Sequence, residues 1–224
     1  MDKQKVRVIT ADFGGHIEGF EYQLPYQRTN KYEISFECLN DKNTPSRKLS
    51  LHSRTKAKIP KMLDWLENDA DYYIWFDSKF KVTNNNFVEE LIHDLGDHDF
   101  GLLKHPNRNS IKSELEFMEY EMLSLENSYL IDRYDGERMR DQVEFYLKDP
   151  NFVDDKLFAM GFFVYSKKLI ENRDYNVLTD WFFHNCYWSI QDQLSIPYLL
   201  SKHNINYKVL DIQLFNNKHL KWGK

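Results

Sequence analysis

The sequence predicts an α/β domain with a mixed, mostly parallel central sheet flanked by helices, and three observations carry that expectation. Short apolar runs of strand character alternate with stretches of helical periodicity along the whole 224 residues. One of these runs, Tyr72–Phe76, has the length and the aromatic and β-branched character of a buried central strand, and it stops abruptly at Asp77. Small or polar clusters follow the other runs, as expected where loops gather at the carboxyl ends of strands. The length suits one domain spanning residues 1–224, and no shift of composition divides it.

Composition narrows the function. The 14 Tyr, 16 Phe and 5 Trp are enough to build a sizeable core and to line a groove as well. A formal charge of −5 argues against a nucleic-acid partner, for which a basic face is the expected footprint. Cys38 and Cys186 form neither a metal nor a disulfide pattern, which suits a reducing cytosol. The N-terminal residues carry no signal-peptide pattern, and no run approaches the roughly 18 uncharged apolar residues of a membrane span. A cytoplasmic protein without a membrane span is the expectation.

Taken in order, Val6–Ala11 reads as the first strand. It breaks into Asp12-Phe13-Gly14-Gly15, where the glycines permit a tight turn and close approach of backbone to a ligand. The Gly-x-Gly-x-x-Gly spacing of a dinucleotide site is absent. Tyr32–Leu39 alternates with period two and is the next strand, followed by a polar loop from Asn40 to Lys48. Ile59, Met62, Leu63 and Leu66 recur at helical spacing, and Pro60 places the start of that helix nearby, with Arg54 to Lys58 around its N-terminal end. Cations there oppose the helix dipole at about 0.3 to 1 kcal/mol each unless an anion joins them. The basic cluster from Arg47 to Lys61 is therefore either a solvated patch or an anion site.

Asp77 stands either at the mouth of a site or as the cap of the turn Asp77-Ser78-Lys79. Asn84–Asn86 is a turn or the N-cap of a short helix with Phe87, Leu91, Ile92 and Leu95 as its apolar stripe. Asp99–Leu103 is a further strand, leading into the polar cluster Lys104 to Asn109. A long amphipathic helix is expected from Ser110 to about Leu130, with Glu114 or Glu116 able to face a cleft, and another from Met139 to Leu147. Leu157–Tyr165 is a strongly apolar strand, and Gly161 in its middle marks a bulge or a close approach. Leu178–Trp188 is helical, Gln191-Asp192-Gln193 offers donors and acceptors suited to hydroxyls, and Tyr207–Leu210 is the last expected strand.

The ordered set Arg54-x-x-x-Lys58, Ile-Trp-Phe-Asp77-Ser78-Lys79, His105-Pro-Asn-Arg108, Asp192-Gln193-Leu194-Ser195 and His219-Leu-Lys221-Trp222 resembles glycosyltransferases of the GT-A type. It is most similar to a glycosyltransferase-like group shared by plant Golgi, bacterial and large-virus proteins, and the resemblance covers nearly the whole chain. It implies the GT-A fold and transfer of a sugar from a nucleotide-diphosphate donor, UDP first, to a carbohydrate or glycoconjugate acceptor. It also implies a divalent metal, Mn²⁺ or Mg²⁺, held by Asp77 and His219, because hard ions take oxygen ligands and offset charge on a leaving diphosphate. Lys79 departs from the family pattern where a second Asp is expected.

By the same resemblance, Asp12, Phe13 and Gly14 border the nucleoside, while Arg54, Lys58, Ser78, Lys79 and Lys221 meet the nucleotide or diphosphate. His105, Arg108, Gly161, Gln191 and Gln193 line the sugar or acceptor side. Asp77 and Asp192 carry the catalytic roles, Asp192 by contacting the sugar or deprotonating the acceptor. The competing expectation is a non-catalytic nucleotide-sugar or carbohydrate-binding domain in which Lys79 has replaced a needed ligand.

Overall fold

A computed structural model describes residues 3–15, 22–44, 52–215 and 217–222. Arg47 and Lys48 of the basic cluster, the end of the Asn40–Lys48 loop, and Asn216 and Gly223 of the closing segment lie outside the described residues. The sheet has six strands: β1 (Gln4–Asp12), β2 (Tyr32–Asn40), β3 (Tyr72–Phe76), β5 (Phe100–Lys104), β6 (Phe158–Ser166) and β7 (Tyr207–Val209). Between β3 and β5 comes β4 (Phe80–Val82), which pairs instead with β8 (Leu220–Trp222) in a separate two-stranded sheet. The order across the main sheet is β2-β1-β3-β6-β5-β7, with β6 antiparallel to its neighbours and the remaining pairs parallel. The mixed, mostly parallel sheet is the one expected.

Strand periodicity explains why the sheet is buried on both faces. Tyr73 and Trp75 of β3, with Ile9 and Ala11 of β1, enter one core; Ile74 and Phe76, with Val6 and Val8, enter the other. Each large side chain removed from water this way contributes about 1.5–3 kcal/mol. The first core is closed by helices α1 (Ser53–Leu63), α3 (Ile111–Glu119), α5 (Met139–Leu147), α6 (Val177–Tyr187) and α7 (Asp192–Lys202), and the second by α2 (Phe87–Leu95). Among the described residues no helix is long and apolar enough to cross a membrane.

In β6 the alternation slips by one residue: Phe158 and Met160 face the first core, then Phe162 faces the second and Phe163 the first. The β5–β6 register shifts between Leu102↔Phe163 and Lys104↔Phe158. Gly161 sits inside this bulge, as its place in an apolar strand suggested.

Two helical expectations need correcting. Pro60 lies in the second half of α1 rather than near its start, while Arg54 to Lys58 fall in the first half, at the N-terminal end as expected. The helix expected from Ser110 to Leu130 is two: α3 widens into a π turn at Tyr120–Ser124, Glu126 adopts φ 50°, and Asn127 caps α4 (Ser128–Tyr134) by accepting from the Leu130 amide. Leu123 and Leu125 find no core to pack against and stay exposed, so the local cap decides where the helix restarts.

Candidate active site

The carboxyl ends of β1 and β3, the first turns of α1 and α7, and α4 enclose a cavity of about 510 Å³. Its lining carries five cations, Arg54, Lys58, Lys61, Lys79 and Arg133, against three carboxylates, Asp12, Asp77 and Asp192. A chain with a net charge of −5 thus gathers a local positive excess in its cavity.

Asp192 is the centre of the charge cluster. Its Oδ2 lies 2.5 Å from Lys58 Nζ and 2.6 Å from Lys61 Nζ, and all three residues are at most 8 % exposed. The Trp181 indole N–H donates to the Asp192 carbonyl at 3.2 Å, which holds the start of α7 against α6. Burial pushes the Asp192 carboxyl up, but Lys58 and then Lys61 outweigh it and hold it well below the usual carboxylate range. Burial pushes the Lys58 ammonium down to about 8 against the pull of Asp192. Lys61 is also caged by the rings of Trp75, Phe163 and Trp181, each within 6 Å. For Lys58 and Lys61 the anion that eases the conflict of cations along α1 is therefore supplied by the protein itself.

Asp77 occupies the mouth of the cavity rather than serving only as a cap. Its backbone N–H donates to the Gly161 carbonyl at 2.8 Å, and its carbonyl accepts from Phe80 N–H at 2.9 Å. The Trp75 indole donates to its Oδ1 at 3.0 Å, Lys79 Nζ approaches Oδ2 at 3.2 Å and Lys61 Nζ lies 3.7 Å from Oδ1. Burial raises the Asp77 carboxyl; Lys61 and Lys79 outweigh it and bring it below the usual range. Lys79 also lies 5.1 Å from the Trp222 ring, so the C-terminal strand reaches the site through Trp222.

Of the residues singled out by sequence, the cavity brings together Asp12, Phe13, Arg54, Lys58, Asp77, Ser78, Lys79, Gly161, Gln191, Asp192 and Gln193. Gly14 lies beside the cavity at φ 82°, with its N–H donating to Asp41 Oδ2 at 2.6 Å. Lys221 and His219 do not line it. Lys221 pairs across from Lys81, and the buried His219 ring packs on Phe87, 3.1 Å from Asn84 Nδ2. His105 and Arg108 lie behind the wall: His105 Nδ1 accepts from the Arg108 and Asn107 amides, and Arg108 pairs with Glu114.

The residues present do not fit a divalent ion held by Asp77 and His219. Lys79 stands where a second carboxylate is needed, two ammonium groups already face Asp77, and His219 is turned to Asn84 and Phe87. Among the described residues no cluster of three His, Cys, Asp or Glu side chains could ligate a metal.

Sequence reasoning missed Arg133, Tyr129 and Tyr134 and named Lys61 only as the end of the basic cluster; all four line the cavity. Lys61 was legible in principle, one turn beyond Lys58 on the same helix. Arg133 and the two tyrosines sit on α4, a helix whose separate existence rests on the Asn127 cap.

Fold and site together define an α/β protein with a ligand cavity of positive excess at the carboxyl ends of its strands. Among solved structures similar to it are the apo form of WbbM, a bifunctional glycosyltransferase, and the apo form of mouse xyloside xylosyltransferase 1. The first is 14 % identical with a TM-score of 0.48, over 92 % of this chain and 39 % of that one. The second is 15 % identical with a TM-score of 0.38, over 81 % of this chain and 63 % of that one. The chain therefore spans less than two thirds of either. No protein-family model and no curated protein matches it.

Proposed function

We propose that the chain is a GT-A type glycosyltransferase that moves a sugar from a nucleotide-diphosphate donor, first of all a UDP-sugar, onto a hydroxyl of a carbohydrate or glycoconjugate. The observation that carries this reading is the cavity in which Asp77, Lys79 and Asp192 meet at the carboxyl ends of the strands amid an excess of positive charge. The order of motifs along the sequence supports the same reading.

The donor diphosphate sits beside Lys79, with the Asp12-Phe13-Gly14 turn bordering the nucleoside. Lys79 then offsets the charge that develops as the anomeric carbon–oxygen bond to phosphate breaks. Asp192 meets both lysines through Oδ2. Its remaining oxygen orients a sugar hydroxyl. Both aspartates are held below the usual carboxylate range, which makes them weak bases. Among the oxyanions in the cavity the departing diphosphate is the more basic, so it receives the acceptor proton as the new glycosidic bond forms. No step here needs a divalent ion.

The test is a thermal-shift and turnover screen of the purified protein with UDP, GDP, CMP and dTDP sugars, with Mn²⁺ or with EDTA. Stabilisation by one nucleotide class that survives EDTA, about 2.7 kcal/mol at a hundredfold excess over Kd, is expected. Acceptor-dependent release of nucleotide should accompany it, and Asp77→Asn should abolish that release in a folded protein. Stabilisation without release in any acceptor mixture supports the non-catalytic binding domain instead. Indifference to every donor overturns both readings.

A further inference from the structure

The cavity contains a second cationic feature that the proposed chemistry does not use. Lys58 and Lys61 share Asp192, and Lys79 faces Asp77. Arg54 and Arg133 have no carboxylate partner within ion-pair distance among the described residues, although both line the cavity. Arg54 Nη1 and Arg133 Nε are shut off from solvent and make no hydrogen bond there. A buried unpaired donor costs about 1–3 kcal/mol, more on a charged group, so two in one wall need an explanation.

The two guanidiniums are neighbours. Burial and then the proximity of Arg133 lower Arg54, the direction expected for like charges held together. Burial pushes Arg133 down as well, but Tyr134, Tyr129 and Asp192 outweigh it and raise Arg133. Arg133 is fixed in place by its Nη1, which donates to Tyr129 Oη at 2.9 Å, and by the Tyr134 ring, 5.0 Å from its guanidinium carbon. Arg54 lies in the first turn of α1, a turn without any acidic residue, so the helix dipole adds to the positive field. A carboxylate or phosphate between the two forks would satisfy both orphan donors and relieve the repulsion.

We propose that Arg54 and Arg133 form a second anion seat, distinct from the diphosphate position at Lys79, which takes a carboxylate or phosphate borne by the transferred sugar or by the acceptor. The seat deepens the transferase reading by making one substrate acidic, as a uronic acid or a phosphorylated sugar is. Arg54, expected from sequence at the nucleotide, is thereby moved to the sugar side.

The experiment titrates the full chain with D-glucuronate, D-glucose and inorganic phosphate by calorimetry, alone and at saturating UDP. Wild type should bind glucuronate or phosphate, and not glucose, whether or not UDP is present. Preference between the two anions tells a carboxylate from a phosphate. Comparing UDP-glucuronate with UDP-glucose, at a fixed acceptor, tells whether the transferred sugar is the one that carries the charge. Arg133→Gln and Arg54→Gln should each weaken the anion at least tenfold, with Arg133→Lys recovering part of the loss. Competition between UDP and the anion for one position overturns the proposal, as does unchanged anion binding in both glutamine variants. Should UDP fail to bind while the anion still binds through the arginines, the seat stands and the transferase reading falls. The wild-type competition measurement decides the matter even if a variant does not fold.

Discussion

Gly161 and Asp77 are packed so closely that a Cβ on the glycine would lie 3.1 Å from the Asp77 Oδ2, with Phe80 Cε2 at 3.2 Å on another side. The bulge in β6 therefore does two things at once. It offers the Gly161 carbonyl to the Asp77 N–H, and it leaves the space into which the carboxylate is set. Gly161→Ala should displace that carboxylate by a few tenths of an ångström. We expect turnover to fall at least tenfold while Tm drops by less than about 5 °C, since Asp77, the nearest neighbour that must move, borders the cavity. Scanning calorimetry beside a turnover assay checks it, and unchanged turnover would remove Asp77 from the centre of the site.

Asp192 is the hydrogen-bonded counterion of two buried lysines, with Asp77 as a second, longer partner of Lys61 at 3.7 Å. Asp192→Asn leaves Lys58 without its carboxylate and Lys61 with Asp77 alone, and we expect a loss of about 3–5 kcal/mol in urea unfolding. Replacing all three residues by apolar ones of similar volume should recover most of that stability and none of the activity. A triple variant that still turns over donor would show that the cluster is structural only.

Acid should weaken the fold as soon as the pH falls below the ordinary histidine value. Burial, and then Arg108, hold the folded His105 down to about 4, against an ordinary value near 6.5. Between those pH values the unfolded chain takes up a proton that the folded chain refuses, so stability falls as pH drops from 6.5 towards 4. His184 and His219, also lowered by burial, add to the same slope. His105→Asn keeps an acceptor for the Arg108 amide and should flatten the pH dependence of unfolding free energy across that window by about 2 kcal/mol. An identical slope in the variant would exclude His105 as its source.

Glu114 positions Gln191 from behind the cavity wall. It is 2 % exposed, pairs with Arg108 and accepts from Gln191 Nε2 at 3.0 Å, while Tyr134 Oη donates to Gln191 Oε1 at 3.3 Å. The amide facing the cavity is thus held in one orientation. Glu114→Ala should raise KM for the acceptor several-fold more than it lowers kcat, and Glu114→Gln, which keeps an acceptor oxygen, should restore part of the KM. Equal losses in both variants and both parameters would indicate a stability effect alone.

The strands, the single carboxylate at the end of β3 and the glycine in β6 were legible because each depends on local pattern: an apolar run of strand length, its abrupt stop, a small residue inside it. Gln191 to Gln193 was legible for a similar reason, as a polar triplet between helical stretches. The strands β4 and β8 were not, since three residues carry no periodicity and acquire partners only when the segment at Leu220–Trp222 packs beside Phe80–Val82. His219 and Lys221 looked like site residues from their types, yet the β4–β8 register turns them elsewhere and sends Trp222 to Lys79.

What the sequence alone determined is the α/β layering, because burial on two faces and the turn residues between strands leave little choice. The groups around the cavity were named chiefly by the resemblance of its motifs. The tertiary structure decided who neutralises whom. Asp192 and Lys61 are 131 positions apart, so only the packing of α7 on α1 could join them. Arg54 and Arg133 meet for the same reason, through a helix that begins at an asparagine cap. Charge pairing across such separations depends on distances of a few ångströms, and no spacing along the chain encodes those.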